Sequence, residues 1–166
     1  MKPLLPLLLL LALPVATAAQ SLNEFRWKSR LVILFTPAVD DPLFLQQRAL
    51  LGEANDALRE RRVTILMVTP EGDHSNSTLF LGESASEYFY EQFSAQPYQF
   101  ELSLVGLDGE EKYRAKNEVT PVSVLTEMID AMPMRQRRLK QGLGNKSSIN
   151  AKEPAPGVPD GRNNRR

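Results

Sequence analysis

Residues 31–42 run Leu31-Val32-Ile33-Leu34-Phe35-Thr36-Pro37-Ala38-Val39-Asp40-Asp41-Pro42. The first five side chains are apolar without alternation, which predicts a strand covered on both faces of a sheet. Asp40 or Asp41 can cap a helix, and Pro42 suits the first helical position. The stretch therefore predicts a strand, a short polar loop and a helix. Ligands in α/β proteins gather where a strand's carboxyl end meets a helix N-terminus, so we expect any functional site here.

The residues after Pro42 predict a βαβ unit. Apolar residues recur at three- and four-residue spacing as far as about Arg61, which indicates one helix. Val63–Val68 is a second apolar run and predicts another buried strand. A strand, a helix and a strand in this order predict a right-handed unit with parallel strands. The buried face of the helix is predicted from Leu43, Leu50, Leu51, Ala54, Ala57 and Leu58.

The second half of the chain predicts a helix, a hairpin and a final helix. Ser84 and Glu87 have the spacing of a capping box, so we expect a helix that Ser84 caps. Asp108-Gly109 is typical of a two-residue hairpin turn between two strands. We expect Thr120-Pro121 to cap the last helix, which should kink or stop at Pro133, with one further basic turn after it.

The predicted order is β-α-β-α-β-β-α, which is the thioredoxin-like order. We therefore expect an α/β fold in which a mixed central sheet lies between two layers of helices, a three-layer sandwich. The hairpin after the βαβ unit argues against a doubly wound sheet, which would need another crossover helix. The single tryptophan, Trp27, precedes the first strand, and we expect it in the core.

The two ends of the chain are predicted to lie outside this domain. A positive start, an apolar run over Leu4–Leu13 and the small residues of Ala16–Ala18 are typical of a secretory signal peptide, assigned to residues 1–19. Residues 142–166 are almost without apolar side chains and predict a disordered tail. Residues 20–141 remain as one domain. We expect an exported protein, periplasmic in a bacterial host and secreted otherwise.

Charge and cysteine content narrow the function. Residues 20–134 carry ten Lys/Arg and eighteen Asp/Glu, whereas residues 135–166 carry nine and two. The basic end can bind the acidic domain, face an anionic surface, or remain solvated. The chain has no cysteine, which excludes disulfides and every thiol reaction. It has one histidine, His74, so we expect no metal site, and most nucleophilic triads are impossible.

Three short segments resemble one family. They are Phe35–Pro37 with Asp40–Pro42, Gly106–Gly109 followed by Lys112 and Arg114, and Ile129–Arg135. Together they resemble the DUF4174 family, a domain of unknown function, over Leu31–Arg138. The resemblance implies a thioredoxin- or peroxiredoxin-like fold and an exported address, but no established activity.

The resemblance also shows where this chain departs from its fold relatives. Thioredoxins and peroxiredoxins carry a reactive cysteine in the loop after the first strand of the βαβ unit. That loop is Thr36–Asp41 here, and it contains no sulfur. Thioredoxins also carry a cis-proline just before the third strand, for which Pro97 is the nearest candidate.

The candidate ligand or partner site consists of Thr36, Asp40, Asp41, Lys112, Arg114 and Arg135. The two aspartates can bind a cation or act as acid and base, or serve as a helix cap. Lys112 and Arg114 share a strand face, where they can receive an anionic ligand or pair with the glutamates of the hairpin, Glu101, Glu110 and Glu111. Arg135 opens a basic cluster with Arg137, Arg138 and Lys140, the strongest partner signal in the sequence.

These patterns predict an exported binding or adaptor domain without thiol chemistry, with an unidentified protein as partner. A non-thiol enzyme that uses the Thr36–Asp41 loop, with or without a divalent cation, is one alternative. Association of Arg135–Arg166 with an anionic membrane surface is another. We expect no cofactor. No aromatic side chains lie among the basic residues for base stacking, so we expect no nucleic-acid partner.

Overall fold

The computed structural model describes residues 21–72 and 81–142. The predicted signal peptide, His74 and residues 143–166 lie outside this part of the chain. None of the helices within it is long and apolar enough to cross a membrane.

Four strands form one mixed sheet in the order β2-β1-β3-β4. Strand β1 pairs in parallel with β2 and antiparallel with β3, and β3 pairs antiparallel with β4. This arrangement confirms the predicted parallel βαβ unit followed by a hairpin. Strand β2 was expected to be buried, but it is half-buried over much of its length because it lies at an edge of the sheet. The strands are β1 (Arg30–Phe35), β2 (Val63–Val68), β3 (Glu101–Val105) and β4 (Glu111–Lys116).

Helices cover both faces of the sheet. In the described residues they are α1 (Leu22–Phe25), α2 (Pro42–Glu53), α3 (Asn55–Glu60), α4 (Glu83–Phe93), α5 (Val122–Ala131) and α6 (Pro133–Lys140). Alternate residues of β1 point to opposite faces, as the strand period of two requires. Leu31, Ile33 and Phe35 pack with residues of α4, whereas Val32 and Leu34 pack with residues of α2 and α5. The predicted thioredoxin-like three-layer sandwich is confirmed.

The long helix predicted after Pro42 is in fact two helices. Helix α2 ends at Glu53, Ala54 leaves the helical region, and α3 resumes at Asn55. Gly52 and Asn55 flank the break, and both are weaker helix formers than their neighbours. The predicted buried face was partly wrong: Phe44 and Gln47 are fully buried, whereas Leu43, Leu50 and Ala54 are half-buried and Ala57 is exposed.

The predicted capping box at Ser84 was wrong. Helix α4 already starts at Glu83, Gly82 occupies the cap position, and no side chain caps the helix. Gly72, with φ +72°, packs its backbone against this start, where a Cβ would come within 2.7 Å of the Glu83 nitrogen. Thr120 likewise makes no cap bond to α5. Helix α4 therefore begins two residues earlier than the capping-box signature predicts, with its start packed against the backbone of Gly72.

The hairpin turn is one residue longer than predicted. Gly109 N–H donates to Gly106 O, and Gly106 N–H donates to Glu110 O at 2.9 Å. Leu107 and Asp108 therefore form the centre of the turn, and Gly109 follows with φ +82°. A turn followed by a left-handed residue is the usual three-residue hairpin loop, and glycine adopts that conformation without strain.

Trp27 does not lie in the core, so that prediction was wrong. Its side chain is 57% exposed, and its indole ring lies 5.8 Å from the Arg26 guanidinium carbon. The Trp27 N–H donates to Leu107 O at 2.7 Å in a left-handed backbone conformation. Phe25 takes the buried position instead.

Candidate functional site

Two loops leave the sheet where β1 ends. The register places Phe35 opposite Glu101, so the loop after β1, Thr36–Asp41, and the loop before β3, residues 94–100, lie at one edge. Strand β2 is parallel to β1 and also ends there, with Val68 opposite Phe35. We call this region the carboxyl edge of β1.

Thr36 is fully buried at this edge, and its polar groups bond within the protein. Its N–H donates to Val68 O at 3.0 Å, and its hydroxyl donates to Ala38 O at 2.6 Å. The Tyr90 hydroxyl of α4 lies 3.4 Å from both Thr36 O and Val68 O. Burial, together with the nearby charge of Glu101, raises the pKa of Tyr90 well above its usual range. Thr36 therefore holds the loop in shape, and Tyr90 stays protonated beneath it.

The two aspartates of the loop have different surroundings. The Asp41 carboxylate accepts a hydrogen bond from Phe44 N–H at 2.9 Å, and Pro42 occupies the first helical position. This confirms Asp41 as the helix cap. Asp40 is exposed, and its side chain forms no ion pair or hydrogen bond within the described residues. Only one of the two carboxylates is therefore available to a ligand.

Glu101 carries a buried charge, whereas the sequence predicts it only as a pairing partner of Lys112 or Arg114 in the hairpin. Its fully buried carboxylate accepts hydrogen bonds from Gln96 N–H at 3.1 Å and Gln99 Nε2 at 2.7 Å. Arg114 Nη1 lies 3.1 Å and Lys116 Nζ 3.4 Å from its other oxygen. Burial acts to raise the pKa of Glu101, but these hydrogen bonds and charges outweigh it and hold the pKa below its usual value.

The Glu101 network fixes the loop before β3. Gln96 and Gln99 belong to that loop, and Arg114 also donates to Phe93 O at the end of α4. The sequence contains a signal for this arrangement, because Glu101 is the only charged residue between Phe100 and Val105. A charge in an otherwise buried strand indicates a paired carboxylate.

Arg114 and Lys112 both form ion pairs along the hairpin. Of the two alternatives that the sequence left open, pairing within the hairpin is therefore the one observed, and not an arrangement open to an anionic ligand. Arg114 pairs with Glu101 and also with Glu111 at 2.8 Å. Lys112 pairs with Asp108 at 2.7 Å and Glu110 at 2.8 Å, and these hydrogen bonds raise its pKa. Lys112 lies beside Gly106, at the turn end of the hairpin and away from the carboxyl edge of β1.

Arg135 lies at the opposite end of the sheet from the Thr36–Asp41 loop. Its side chain is almost fully buried and donates to Asp130 at 3.0 Å and to Glu60 at 2.8 Å. We expected Arg135 to open an exposed basic cluster, but the structure buries it in ion pairs. The six candidate residues therefore do not form one site: Thr36, Asp40 and Asp41 share the loop, Arg114 joins the Glu101 network at the same edge, and Lys112 and Arg135 lie elsewhere.

Exposed apolar side chains surround the loop instead. Val39 is 41% exposed within it, Leu45 is 46% exposed on the first turn of α2, and Tyr98 is 73% exposed in the loop before β3. Across residues 21–72 and 81–142, no group of three or more His, Asp or Glu side chains is placed to hold a metal ion. No peptide bond in the same residues is cis, so Pro97 is not a cis-proline.

Comparison with known proteins agrees with this geometry. The family model of DUF4174, a domain of unknown function, matches residues 21–138. The chain belongs to this family. The match covers both loops of the carboxyl edge of β1 and the ion pairs around Arg135, so the geometry described above is that of a DUF4174 domain.

The solved structures similar to this DUF4174 domain include a peroxiredoxin and AhpC, both at low sequence identity. Reduced 2-Cys peroxiredoxin from Plasmodium vivax has a TM-score of 0.51 and 15% identity, over 69% of this chain and 83% of that one. AhpC from Mycobacterium bovis has a TM-score of 0.48 and 15% identity, over 66% and 75% of the two chains. At 15% identity the similarity to the Plasmodium vivax protein concerns the fold alone, and it agrees with the thioredoxin-like arrangement of this sheet.

Proposed function

We propose that this DUF4174 domain is an exported module that binds a protein partner through the carboxyl edge of β1. The observation that carries the proposal is the Thr36–Asp41 loop. It stands where thioredoxin-like proteins place a reactive cysteine, yet it has no sulfur, and its Thr36 and Asp41 side chains bond within the protein. A loop built this way can present a surface but cannot perform thiol exchange.

The surroundings of the loop favour a protein partner. Val39, Leu45 and Tyr98 expose apolar surface at this edge, and tyrosine is enriched in protein–protein interfaces. The buried Glu101 network holds the Tyr98 loop in one conformation before binding. A preformed loop loses little conformational entropy on association, which favours affinity. Export is supported by the signal-peptide pattern of residues 1–19.

Site-specific photo-crosslinking in the exported fraction of the native host tests this proposal. A photoreactive aromatic residue replaces Tyr98 in the intact chain. The matched control replaces Trp27, another exposed aromatic residue, which lies at the opposite end of the sheet. We expect a discrete protein adduct from position 98 and none from position 27.

Two results would contradict the proposal. Equal adducts from positions 98 and 27 would show contact without a defined face. No adduct from position 98 under conditions where the variant is folded and exported would remove the carboxyl edge of β1 as the binding surface. Accumulation of the chain with residues 1–19 intact in the cytoplasm would contradict the export part alone.

A further inference from the structure

Five arginines gather where β1 begins, at the edge opposite the Thr36–Asp41 loop. We call them the arginine cluster: Arg30, Arg61, Arg62, Arg135 and Arg138. The carboxylates that pair with them are those of Glu60 and Asp130. Five positive charges against two negative charges leave an excess of three.

The two carboxylates serve Arg61 and Arg135. Asp130 lies 2.6 Å from Arg61 Nη2 and 3.0 Å from Arg135 Nε, and Glu60 lies 2.8 Å from Arg135 Nη2. Asp130 has its pKa held below the usual value: burial acts to raise it, and the bonds and charges of the two arginines outweigh that effect. The charges of these four groups nearly cancel, which leaves those of Arg30, Arg62 and Arg138 unbalanced.

Arg30 has no carboxylate within ion-pair distance in the described residues. Its side chain is 1% exposed, its Nη1 donates to Arg61 O at 2.7 Å, and its Nε donates to the Met132 sulfur at 3.2 Å. It forms no ion pair with any carboxylate of the described residues, and its Nη2 forms no hydrogen bond there. Burying an unpaired guanidinium is costly, so a group that supplies negative charge here gains strong stabilisation.

Arg62 and Arg138 add two more unmatched charges beside Arg30. Arg62 is exposed, and its Nη2 donates to Lys28 O. Arg138 is half-buried on α6, and its side chain has no hydrogen bond or ion pair within residues 21–72 and 81–142. Arg30 N–H donates to Arg62 O at 2.8 Å, and Arg138 follows the ion-paired Arg135 by about one turn of α6. Burial lowers the pKa of Arg30, the charges of Arg135, Arg62 and Arg138 lower it further, and the charge of Asp130 opposes them.

We propose that Arg62 and Arg138 bind a phosphate-type oxyanion at this edge of the sheet, where the buried charge of Arg30 adds to the attraction. Guanidinium groups donate in forks that match phosphate oxygens, and two of them around one anion give the binding geometry that lysine cannot provide. Its source is either a free phosphate or the phosphate headgroup of an anionic lipid, towards which the basic residues 135–166 are also attracted.

Inorganic phosphate is the first probe. The thermal midpoint of the intact chain is measured over a phosphate titration at constant pH, with chloride holding the ionic strength constant. Arg138→Gln is the test variant because its side chain has no structural partner in the described residues. Arg137→Gln is the matched control on the same helix, since Arg137 is exposed and is not among the groups that shift Arg30. We expect phosphate to raise the midpoint of the wild type and of Arg137→Gln. We expect Arg138→Gln to bind phosphate at least about tenfold more weakly.

Vesicles of phosphatidylglycerol, compared with phosphatidylcholine vesicles, are the second probe. If free phosphate has no effect, but the intact chain binds phosphatidylglycerol and Arg138→Gln reduces that binding more than Arg137→Gln, the lipid headgroup is the source. If the two variants respond equally to both probes, the cluster acts only through its total charge and the proposed site does not exist. If neither probe binds the wild type, the site is equally refuted. The carboxyl edge of β1 plays no part in this experiment, so its outcome leaves the crosslinking test unaffected.

Discussion

Replacing Gln47 with leucine tests the polar bridge that ties α2 to the segment before α5. Gln47 Nε2 donates to Thr120 O at 3.1 Å, and Thr120 N–H donates to Gln47 Oε1 at 2.6 Å. Both residues are almost completely buried. The Thr120 hydroxyl is buried too and has no partner within the described residues, so the two bonds to Gln47 are the polar contacts that hold this segment to α2.

The size of the effect follows from what leucine leaves behind. Leucine fills a similar volume, but the N–H and C=O of Thr120 remain buried without partners. Each unsatisfied group costs about 1–3 kcal/mol. The apolar side chain recovers part of this loss, so we expect the free energy of unfolding to fall by about 2–4 kcal/mol.

Urea denaturation of Gln47→Leu and Gln46→Leu measures this difference. Gln46 is the adjacent exposed residue of α2, and an exposed change of this kind should alter stability by no more than about 0.5 kcal/mol. The midpoint of Gln47→Leu should fall while the slope of unfolding free energy against urea stays the same. If the two variants had equal midpoints, the bridge would contribute nothing and our reasoning about unsatisfied groups would fail.

Three further predictions concern groups at the two edges of the sheet. Asp41→Ala removes the helix cap and should lower the free energy of unfolding by about 1 kcal/mol, whereas Asp40→Ala should lower it by much less. Thermal denaturation measures both losses, and equal losses would contradict the assignment of Asp41 as the cap. The pKa of Glu101 is lower in the folded state than in the unfolded state, so its ionised form stabilises the fold above the unfolded pKa of about 4.3. Glu101→Gln should therefore be less stable than the wild type at pH 7, and the difference in unfolding free energy should shrink as the pH falls below the unfolded pKa. A difference that stays constant in denaturation experiments from pH 7 to pH 3 would contradict the stabilising role of the Glu101 charge. The folded protein should show the long-wavelength emission of a solvated indole, with ready quenching by acrylamide, and a strongly blue-shifted spectrum would refute the exposure of Trp27.

Local sequence signals predicted the parts of the fold that depend on local chemistry. The apolar run of β1 and the Asp41-Pro42 helix start appear in the structure where the sequence places them. Both are decided within a few residues, by burial on two faces and by a carboxylate that accepts a neighbouring N–H. The order of elements was sufficient for the thioredoxin-like arrangement because a βαβ unit followed by a hairpin leaves few alternatives.

The side chains that the sequence misplaced depend on contacts between distant residues. The sequence predicts an exposed cation at Arg135, but one of its ion-pair partners, Glu60, lies 75 residues away in the chain. Glu101 was considered only as a hairpin partner, and its bonds to the loop before β3 require the fold itself. Trp27 turns outward through a left-handed backbone that its side chain gives no reason to expect.

The two proposed surfaces should act independently because β1 separates them. Six residues of extended chain span roughly 17 Å, which exceeds the range of about 7–10 Å over which substitutions usually couple. The Glu101 network supports one end of the sheet and the Asp130–Arg135 ion pairs support the other, without a shared residue. Arg138→Gln should therefore leave crosslinking from position 98 unchanged, and a change at position 98 should leave the phosphate response unchanged. Separate behaviour would mean that a cysteine-free thioredoxin-like domain offers two binding surfaces on one rigid sheet, one at each end of its central strand.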